Sequence, residues 1–457
     1  MNIRHMKKVF LASLFLSMFI ASSYAQETQR LQTISLDSKV MDQERSIKVY
    51  LPEEYSDEKT YPVIYITDAS TSNFETAKSY LDALTTPVYD AVPPSILVGI
   101  SHKNRNAELN VFRKESGEKF KRHLFDEVVP AIDTAFSTSG FNTMIGHSNG
   151  AEFNHFLLLE EDNPFRGFIS MSTNFNTDVR SEISDFFKTY QGKQIYYFIA
   201  NGTRDGFMRV DAGNEMEELY NDSSNPNIYL MKETYSADHQ SIVPLSLVDG
   251  LSFVFKDYKN TEKYTSVIDY GENFLDDLER LYGIKGVYSM DDLGPFFMDI
   301  LENKKMEEYR YIVNLINEYN LFYGRGIDPV NQANNYFSMD MMPETIEYWN
   351  KAIDDFDSVN PQVFYANHSK ALKAYSRLDR KDEMIPFLVR VKETLPEEYT
   401  LRMNYRIAYH SAKHQLAPES GKRALEYCKS NFEENGLFTM DDLLALEKEL
   451  YSLSVNK

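Results

Sequence analysis

Short apolar runs separated by helical patterns occupy the chain from Leu31 to about residue 260. Apolar and polar residues alternate over residues 45–51, which predicts a strand with one buried face. Apolar runs without alternation predict strands buried on both faces, and they lie at 63–66, 96–98, 144–145, 168–169 and 195–199. Apolar residues recur at helical spacing over 120–134 and 151–160. Strands that alternate with helices predict a doubly wound α/β domain with a mostly parallel sheet.

After about residue 262, amphipathic helical patterns punctuated by prolines replace the strand signals. Residues 333–361 and 371–396 have the pattern of successive helix–turn–helix units. Their spacing is close to the tetratricopeptide period of roughly 34 residues, although the consensus positions match only loosely. We therefore predict an α/β domain over 26–262 and an all-α, helical-repeat-like domain over 263–457. Aromatic residues of the second domain are expected to pack between its helices.

The first 25 residues have the pattern of a secretory signal peptide. Arg4, Lys7 and Lys8 form a basic start, residues 9–21 are apolar, and small residues precede Gln26 at the cleavage positions. The apolar run is too short to span a bilayer, so an uncleaved anchor is the weaker alternative. We expect an exported protein, periplasmic or secreted, without a membrane span.

The amino-acid composition argues against some classes of binding partner and some kinds of site. The 457 residues carry 69 acidic against 48 basic side chains, for a formal charge of −21, which argues against nucleic acid as a partner. One cysteine excludes an internal disulfide and cysteine-based metal sites. His410 and His414 are four residues apart, but no third ligand lies nearby, so solvated or core histidines are favoured. We expect neither a metal nor an organic cofactor.

The pentapeptide Gly146-His147-Ser148-Asn149-Gly150 is the main chemical signal. It fits a sharp strand-to-helix turn that exposes a nucleophilic serine, since an apolar strand precedes it and an amphipathic helix follows it. In this arrangement the acid and then the histidine follow the serine along the chain. His239 is the histidine that remains after those in the wrong order or in the helical region are set aside. Asp205 is the first carboxylate in the loop after the strand at 195–199, with Asp211 and Glu215 as alternatives.

An oxyanion hole requires two backbone N–H groups. Asn149 directly follows the nucleophile and supplies one candidate, and Ala69 in the loop after the strand at 63–66 supplies the other. Arg105, Asp68 and His147 are further candidates for substrate binding. A surface salt bridge explains Arg105 nearly as well, and turn formation explains Asp68.

Several motifs together resemble one known family. They are YLPEEY at 50–55, YPVIYITD at 61–68, VGI at 98–100 followed by Arg105, FDEVVPAID at 125–133, and DHQS at 238–241. The chain over about 30–258 is similar to the esterase family that includes S-formylglutathione hydrolase, ferric-enterobactin esterase and feruloyl esterase. The resemblance implies an α/β-hydrolase fold and carboxylic-ester hydrolysis by Ser148, Asp205 and His239. It departs at Ala69, where many relatives carry glycine, and at Asp205, where siderophore-esterase relatives present glutamate.

These observations favour an exported serine esterase that works through a Ser-His-Asp triad and an acyl-enzyme. The expected substrate is a small-molecule or carbohydrate-linked ester, whose identity one sequence does not fix. One alternative is an acyltransferase with the same triad. Another is a binding protein in which the helical repeats dominate and the hydrolase site is vestigial. A protein partner or self-association is expected at the helical domain.

Overall fold

The computed structural model describes residues 30–86, 88–110, 114–433 and 437–452, so the predicted signal peptide lies outside the described residues. The chain divides into two compact units. The first comprises the described residues up to Lys263 together with Asn273–Val287. The second comprises Tyr264–Glu272 and the described residues from Tyr288 onward.

An eight-stranded sheet forms the centre of the first unit. In chain order the strands are β1 (Leu31–Ser38), β2 (Gln43–Tyr50), β3 (Tyr61–Ile66), β4 (Ile96–Ile100), β5 (Thr138–His147), β6 (Phe165–Met171), β7 (Ile195–Gly202) and β8 (Ile228–Tyr235). Their spatial order is β1-β2-β4-β3-β5-β6-β7-β8. The β1–β2 and β2–β4 pairs are antiparallel, and the other neighbouring pairs are parallel. The mostly parallel α/β sheet predicted from the sequence is confirmed.

Helices connect and flank these strands. They are α1 (Ser72–Leu84), α2 (Arg105–Glu108), α3 (Lys114–Arg122), α4 (Val129–Ala135), α5 (Asn149–Leu158), α6 (Arg180–Thr189), α7 (Phe207–Asn221) and α8 (Ile242–Val254). A π-helical turn, His123–Val128, joins α3 to α4, so the helical pattern over 120–134 is not one regular α-helix. Strands β3, β4 and β7 are buried along their whole length, because side chains on both faces are covered.

The first unit includes a segment beyond the boundary predicted at residue 262. Helix α9 (Val267–Tyr282) ends with the ring of Tyr282 fully buried. That ring packs edge-on against Phe141 with centroids 4.9 Å apart. Arg166 Nη1 donates to the Leu281 carbonyl at 2.7 Å. The end of α9 therefore packs against β5 and β6 of the first unit.

The second unit is built from helices. They are α10 (Met290–Asn303), α11 (Met306–Glu318), α12 (Pro329–Ser338), α13 (Met342–Asp354), α14 (Pro361–Asn367), α15 (Ser369–Arg377), α16 (Met384–Thr394), α17 (Thr400–His414), α18 (Pro418–Ser430) and α19 (Met440–Ser452). The indole of Trp349 is fully buried and lies 5.3 Å from the ring of Phe364 and 6.4 Å from that of Phe387. Aromatic packing between helices was expected there. Within the described ranges, no helix is both long and apolar enough to cross a bilayer.

Candidate active site

Ser148 stands at a sharp turn between β5, which ends at His147, and α5, which begins at Asn149. Its φ of 60° and ψ of −120° are strained for a residue with a side chain, and such strain is common at functional positions. Glycines stand two residues before and two residues after the serine, where a side chain would be crowded. A Cβ at Gly146 would lie 2.2 Å from the Gly150 carbonyl oxygen, and a Cβ at Gly150 would lie 2.6 Å from Thr67 Oγ1.

The hydroxyl of Ser148 is contacted by a guanidinium group. Arg209 Nη2 donates to Ser148 Oγ at 3.2 Å, and Arg209 also donates to the Ser172 carbonyl. Burial lowers the pKa of Arg209 from its ordinary value, while the charges of Asp205 and Glu152 act in the opposite direction. Within the described residues, no hydrogen bond joins Ser148 Oγ to the ring of His239.

His239 and Asp205 lie side by side in the loops after β8 and β7. His239 Nδ1 is 3.2 Å from Asp205 Oδ2 and 2.7 Å from Ser172 Oγ. Ser172 Oγ also donates to Asp205 Oδ2, so the hydroxyl links the imidazole to the carboxylate. Burial alone would raise the pKa of Asp205, but hydrogen bonds from Ser172, the Gly206 N–H and His239 outweigh it and lower the pKa. Asp205 is therefore an anion at neutral pH, with its side chain only 5% exposed.

The two alternative acids, Asp211 and Glu215, lie on α7. Asp211 is exposed, and Glu215 forms an ion pair with Arg180. Of the three carboxylates considered from the sequence, Asp205 is the one in contact with His239.

Arg105, Asp68 and His147 form a chain of contacts beneath the elbow. Arg105 donates to both Asp68 oxygens, at 2.5 Å from Nε and 3.0 Å from Nη2. Arg105 Nη2 also donates to the His147 carbonyl at 2.9 Å. His147 Nε2 lies 2.6 Å from the His239 carbonyl oxygen, and burial lowers the pKa of His147, which favours a neutral ring. These contacts tie the elbow strand to the loop that carries His239.

The two expected oxyanion donors differ in what they contact. The N–H of Asn149 lies in the first turn of α5, where helical N–H groups have no partner within the helix. The N–H of Ala69 donates to the Ile100 carbonyl over a long 3.3 Å bond. The Asn149 N–H is therefore the one already available to a ligand.

Sequence reasoning missed two residues of this site, Ser172 and Arg209. Ser172 directly follows β6, with a positive φ of 56°. Because active-site groups gather at the carboxyl ends of parallel strands, its position was a usable signal. Arg209 lies on α7, four residues after Asp205, where its sequence context resembles that of any surface arginine.

A cavity of about 450 Å³ lies beside α5. Glu152, one turn after Ser148, lines it together with Phe156 and Val179. Burial raises the pKa of Glu152, and Arg209 and a hydrogen bond with Asn174 only partly offset that effect. Neither Ser148 nor His239 lines this cavity. No group of three His, Cys, Asp or Glu side chains within the described residues could hold a metal ion.

A mostly parallel sheet with a strand–serine–helix elbow, followed along the chain by an acid and a histidine, defines an α/β-hydrolase. Residues 38–243 match the family described as "Putative esterase". No curated protein matches the chain.

Two solved structures have a similar fold. An uncharacterised protein from Capnocytophaga ochracea shares 15% identity with a TM-score of 0.60, over 76% of this chain and 99% of its own. An IroE-like serine hydrolase from Shewanella oneidensis shares 20% identity with a TM-score of 0.51, over 63% of this chain and 99% of its own. The first match extends beyond the family segment, so its fold similarity includes part of the helical region.

Proposed function

We propose that the protein is a serine esterase that cleaves a carboxylic ester through an acyl-enzyme, with Ser148 as nucleophile, His239 as base and Asp205 as the orienting acid. The observation that carries this proposal is the contact between Asp205 and His239, 3.2 Å apart, in the same unit as the strained Ser148 elbow. The match of residues 38–243 to the "Putative esterase" family and the chain order serine, acid, histidine support the same assignment.

In the proposed reaction, His239 Nε2 removes the proton from Ser148 Oγ as the oxygen attacks the ester carbonyl carbon. His239 Nδ1–H donates toward Ser172 Oγ and Asp205, and the Ser172 hydroxyl donates a hydrogen bond to the carboxylate. These contacts hold the tautomer whose Nε2 is free to accept a proton. The imidazolium then protonates the leaving alcohol, and water releases the acyl group from Ser148 by the same steps.

Negative charge develops on the carbonyl oxygen during the attack. We propose that the Asn149 N–H donates a hydrogen bond to this oxygen and stabilises the charge. The Ala69 N–H is the second donor, after its long hydrogen bond to the Ile100 carbonyl breaks. Arg209 adds a positive charge 3.2 Å from Ser148 Oγ. This charge favours the alkoxide form of the serine and stabilises the tetrahedral anion. Arg105, Asp68 and His147 are proposed to hold the elbow in position, since each is already engaged in protein contacts.

The substrate is proposed to be a small-molecule or carbohydrate-linked ester met outside the cytoplasm. Export rests on the signal-peptide pattern of the first 25 residues. The net charge of −21 argues against an anionic polymer as substrate, because like charges repel.

The direct test is hydrolysis of p-nitrophenyl acetate by the wild type and by Ser148→Ala. Ser148→Ala should lose turnover by at least about a thousandfold, whereas Ser181→Ala, an exposed serine on α6, should keep wild-type turnover. A fluorophosphonate probe should label the wild type and not Ser148→Ala. Unchanged turnover in Ser148→Ala would overturn the assignment. Absence of both turnover and labelling in the wild type would favour a vestigial site.

A further inference from the structure

A second cavity, of about 200 Å³, lies in the helical unit and is lined by basic and aromatic side chains. We call it the α17 pocket. Its lining residues are Tyr365, Arg402, Tyr405, Arg406, Tyr409, His410, Leu437 and Phe438. Arg402, Arg406 and His410 follow one another at intervals of four along α17, so they share one face of that helix.

The two arginines of the α17 pocket are close to the same aromatic ring. The guanidinium carbons of Arg402 and Arg406 lie 5.9 Å and 5.6 Å from the centroid of Tyr365. Within the described residues, neither guanidinium pairs with a carboxylate, although acidic residues outnumber basic ones 69 to 48. Other arginines of this unit do pair, as Arg377 does with Asp340 and Arg390 with Asp354. Two adjacent cations without a carboxylate partner form a site that attracts an anion.

His410 lines the α17 pocket beside the two arginines. Burial, together with the neighbouring charges of His414 and Arg406, lowers the pKa of His410 to about 4, so its ring is neutral at neutral pH. Its Nδ1 is buried and has no hydrogen-bond partner within the described residues. The neutral ring adds no second charge to the two arginines, so the positive charge of this side of the pocket comes from Arg402 and Arg406.

The other residues that line the α17 pocket are aromatic or aliphatic. The rings of Tyr405 and Phe438 stack with centroids 4.4 Å apart and planes 9° apart. Tyr409 and Leu437 are 37% and 48% exposed as residues, and they contribute apolar surface to the cavity. A ligand complementary to this lining has a negatively charged group attached to an aromatic ring.

We propose that the α17 pocket binds a small aromatic carboxylate. The carboxylate lies between the guanidinium groups of Arg402 and Arg406, which donate paired hydrogen bonds to it. The ring lies against the aromatic walls, and a cavity of about 200 Å³ has room for one such ring. This proposal does not depend on ester hydrolysis by the first unit.

The test is isothermal titration calorimetry of benzoate into the full chain, with benzamide as the neutral isostere. The wild type should bind benzoate saturably and benzamide at least about tenfold more weakly. Arg406→Gln should weaken benzoate binding by about tenfold or more, and Arg406→Lys by less, since lysine keeps the charge but loses the planar fork. Arg423→Gln removes an exposed arginine on α18 and serves as the matched control, with unchanged binding expected.

Thermal unfolding of each variant shows whether the helical unit remains folded, and Arg402→Gln is the second variant if Arg406→Gln unfolds. No saturable binding of benzoate by the wild type would overturn the proposal. Equal affinity for benzamide would also overturn it, because the arginines would then have no role. Equal weakening by Arg423→Gln and Arg406→Gln would show a general charge effect and reject the site.

Discussion

At the scale of single residues, the hydroxyl of Ser172 makes the shorter of the two contacts to His239. Ser172 Oγ lies 2.7 Å from Nδ1, whereas Asp205 Oδ2 lies 3.2 Å away. We expect Ser172→Ala to lower kcat by about tenfold with little change in KM, because Asp205 stays within reach of the imidazole. Asp205→Asn should lower kcat by up to about ten-thousandfold. Steady-state kinetics on p-nitrophenyl acetate would measure both, and equal losses would contradict the separate roles.

Arg209 provides a second prediction at this scale. Its Nη2 donates to Ser148 Oγ at 3.2 Å, so Arg209→Gln removes a charge beside the reacting atoms while keeping N–H donors. We expect kcat to fall by about ten- to a hundredfold and Arg209→Lys to retain part of the activity. Arg204→Gln removes an exposed charge from the loop that precedes α7 and should leave kcat unchanged. An equal decrease of kcat in Arg204→Gln and Arg209→Gln would point to long-range charge rather than contact, and an unchanged kcat in Arg209→Gln would contradict the prediction.

The sequence predicts Ser148 and His239, and Asp205 with Asp211 and Glu215 as alternative acids, because strand order and chain order constrain which loops meet. It did not contain enough to find Arg209. A helix position four residues after the acid can face the site or solvent, and only packing of α7 against the sheet decides which. Ser172 was accessible in principle, since it directly follows a buried strand, but a serine in a loop has many ordinary roles.

At the scale of elements, the elbow depends on glycine to different degrees at its two ends. A Cβ at Gly146 would meet backbone atoms of Gly150 and Ala151 at 2.2–2.6 Å, whereas one at Gly150 would meet first the Thr67 hydroxyl at 2.6 Å. A hydroxyl can rotate away and backbone cannot. We expect Gly146→Ala to destabilise the first unit by about 3 kcal/mol and to abolish esterase activity, and Gly150→Ala to have a smaller effect on both.

Urea unfolding would measure the free energies of unfolding for these variants. Gly294→Ala is the control, because a Cβ there meets nothing within 4 Å and alanine favours the interior of α10. An effect of Gly150→Ala as large as that of Gly146→Ala would contradict the steric argument.

Burial on one or both faces decides which strands the sequence predicts. The continuous apolar runs of β3, β4 and β7 marked them clearly, since their side chains are buried on both faces. The edge strand β8 was missed, because its partly exposed side chains give no such run. Helical periodicity over 267–282 was visible, but it could not show that Tyr282 is buried beside Phe141. Long-range aromatic contacts of this kind leave no local signal.

At the scale of the whole molecule, we expect acid to lower the free energy of unfolding. The groups responsible form a cluster that joins the end of β1 to the π-helical turn. Burial opposes ionisation of Glu127, but hydrogen bonds from His123, Ser38 and the N–H groups of Val40 and Lys39 outweigh it and lower the pKa to about 2. Burial also lowers the pKa of His123. In both cases the unfolded chain binds protons at a higher pH than the folded chain does, so acid favours unfolding.

The stabilisation from Glu127 is complete above its ordinary pKa of 4.5 and is lost as pH falls from there toward 2, with a total of up to about 3 kcal/mol. In Glu127→Gln, the free energy of unfolding should be lower at pH 7 but fall less between pH 5 and pH 3, because the titrating group is gone. Glu161→Gln removes an exposed carboxylate and should follow the wild-type pH dependence. Urea midpoints at the three pH values would measure this, and a Glu127→Gln profile as steep as that of the wild type would place the acid sensitivity elsewhere in the first unit.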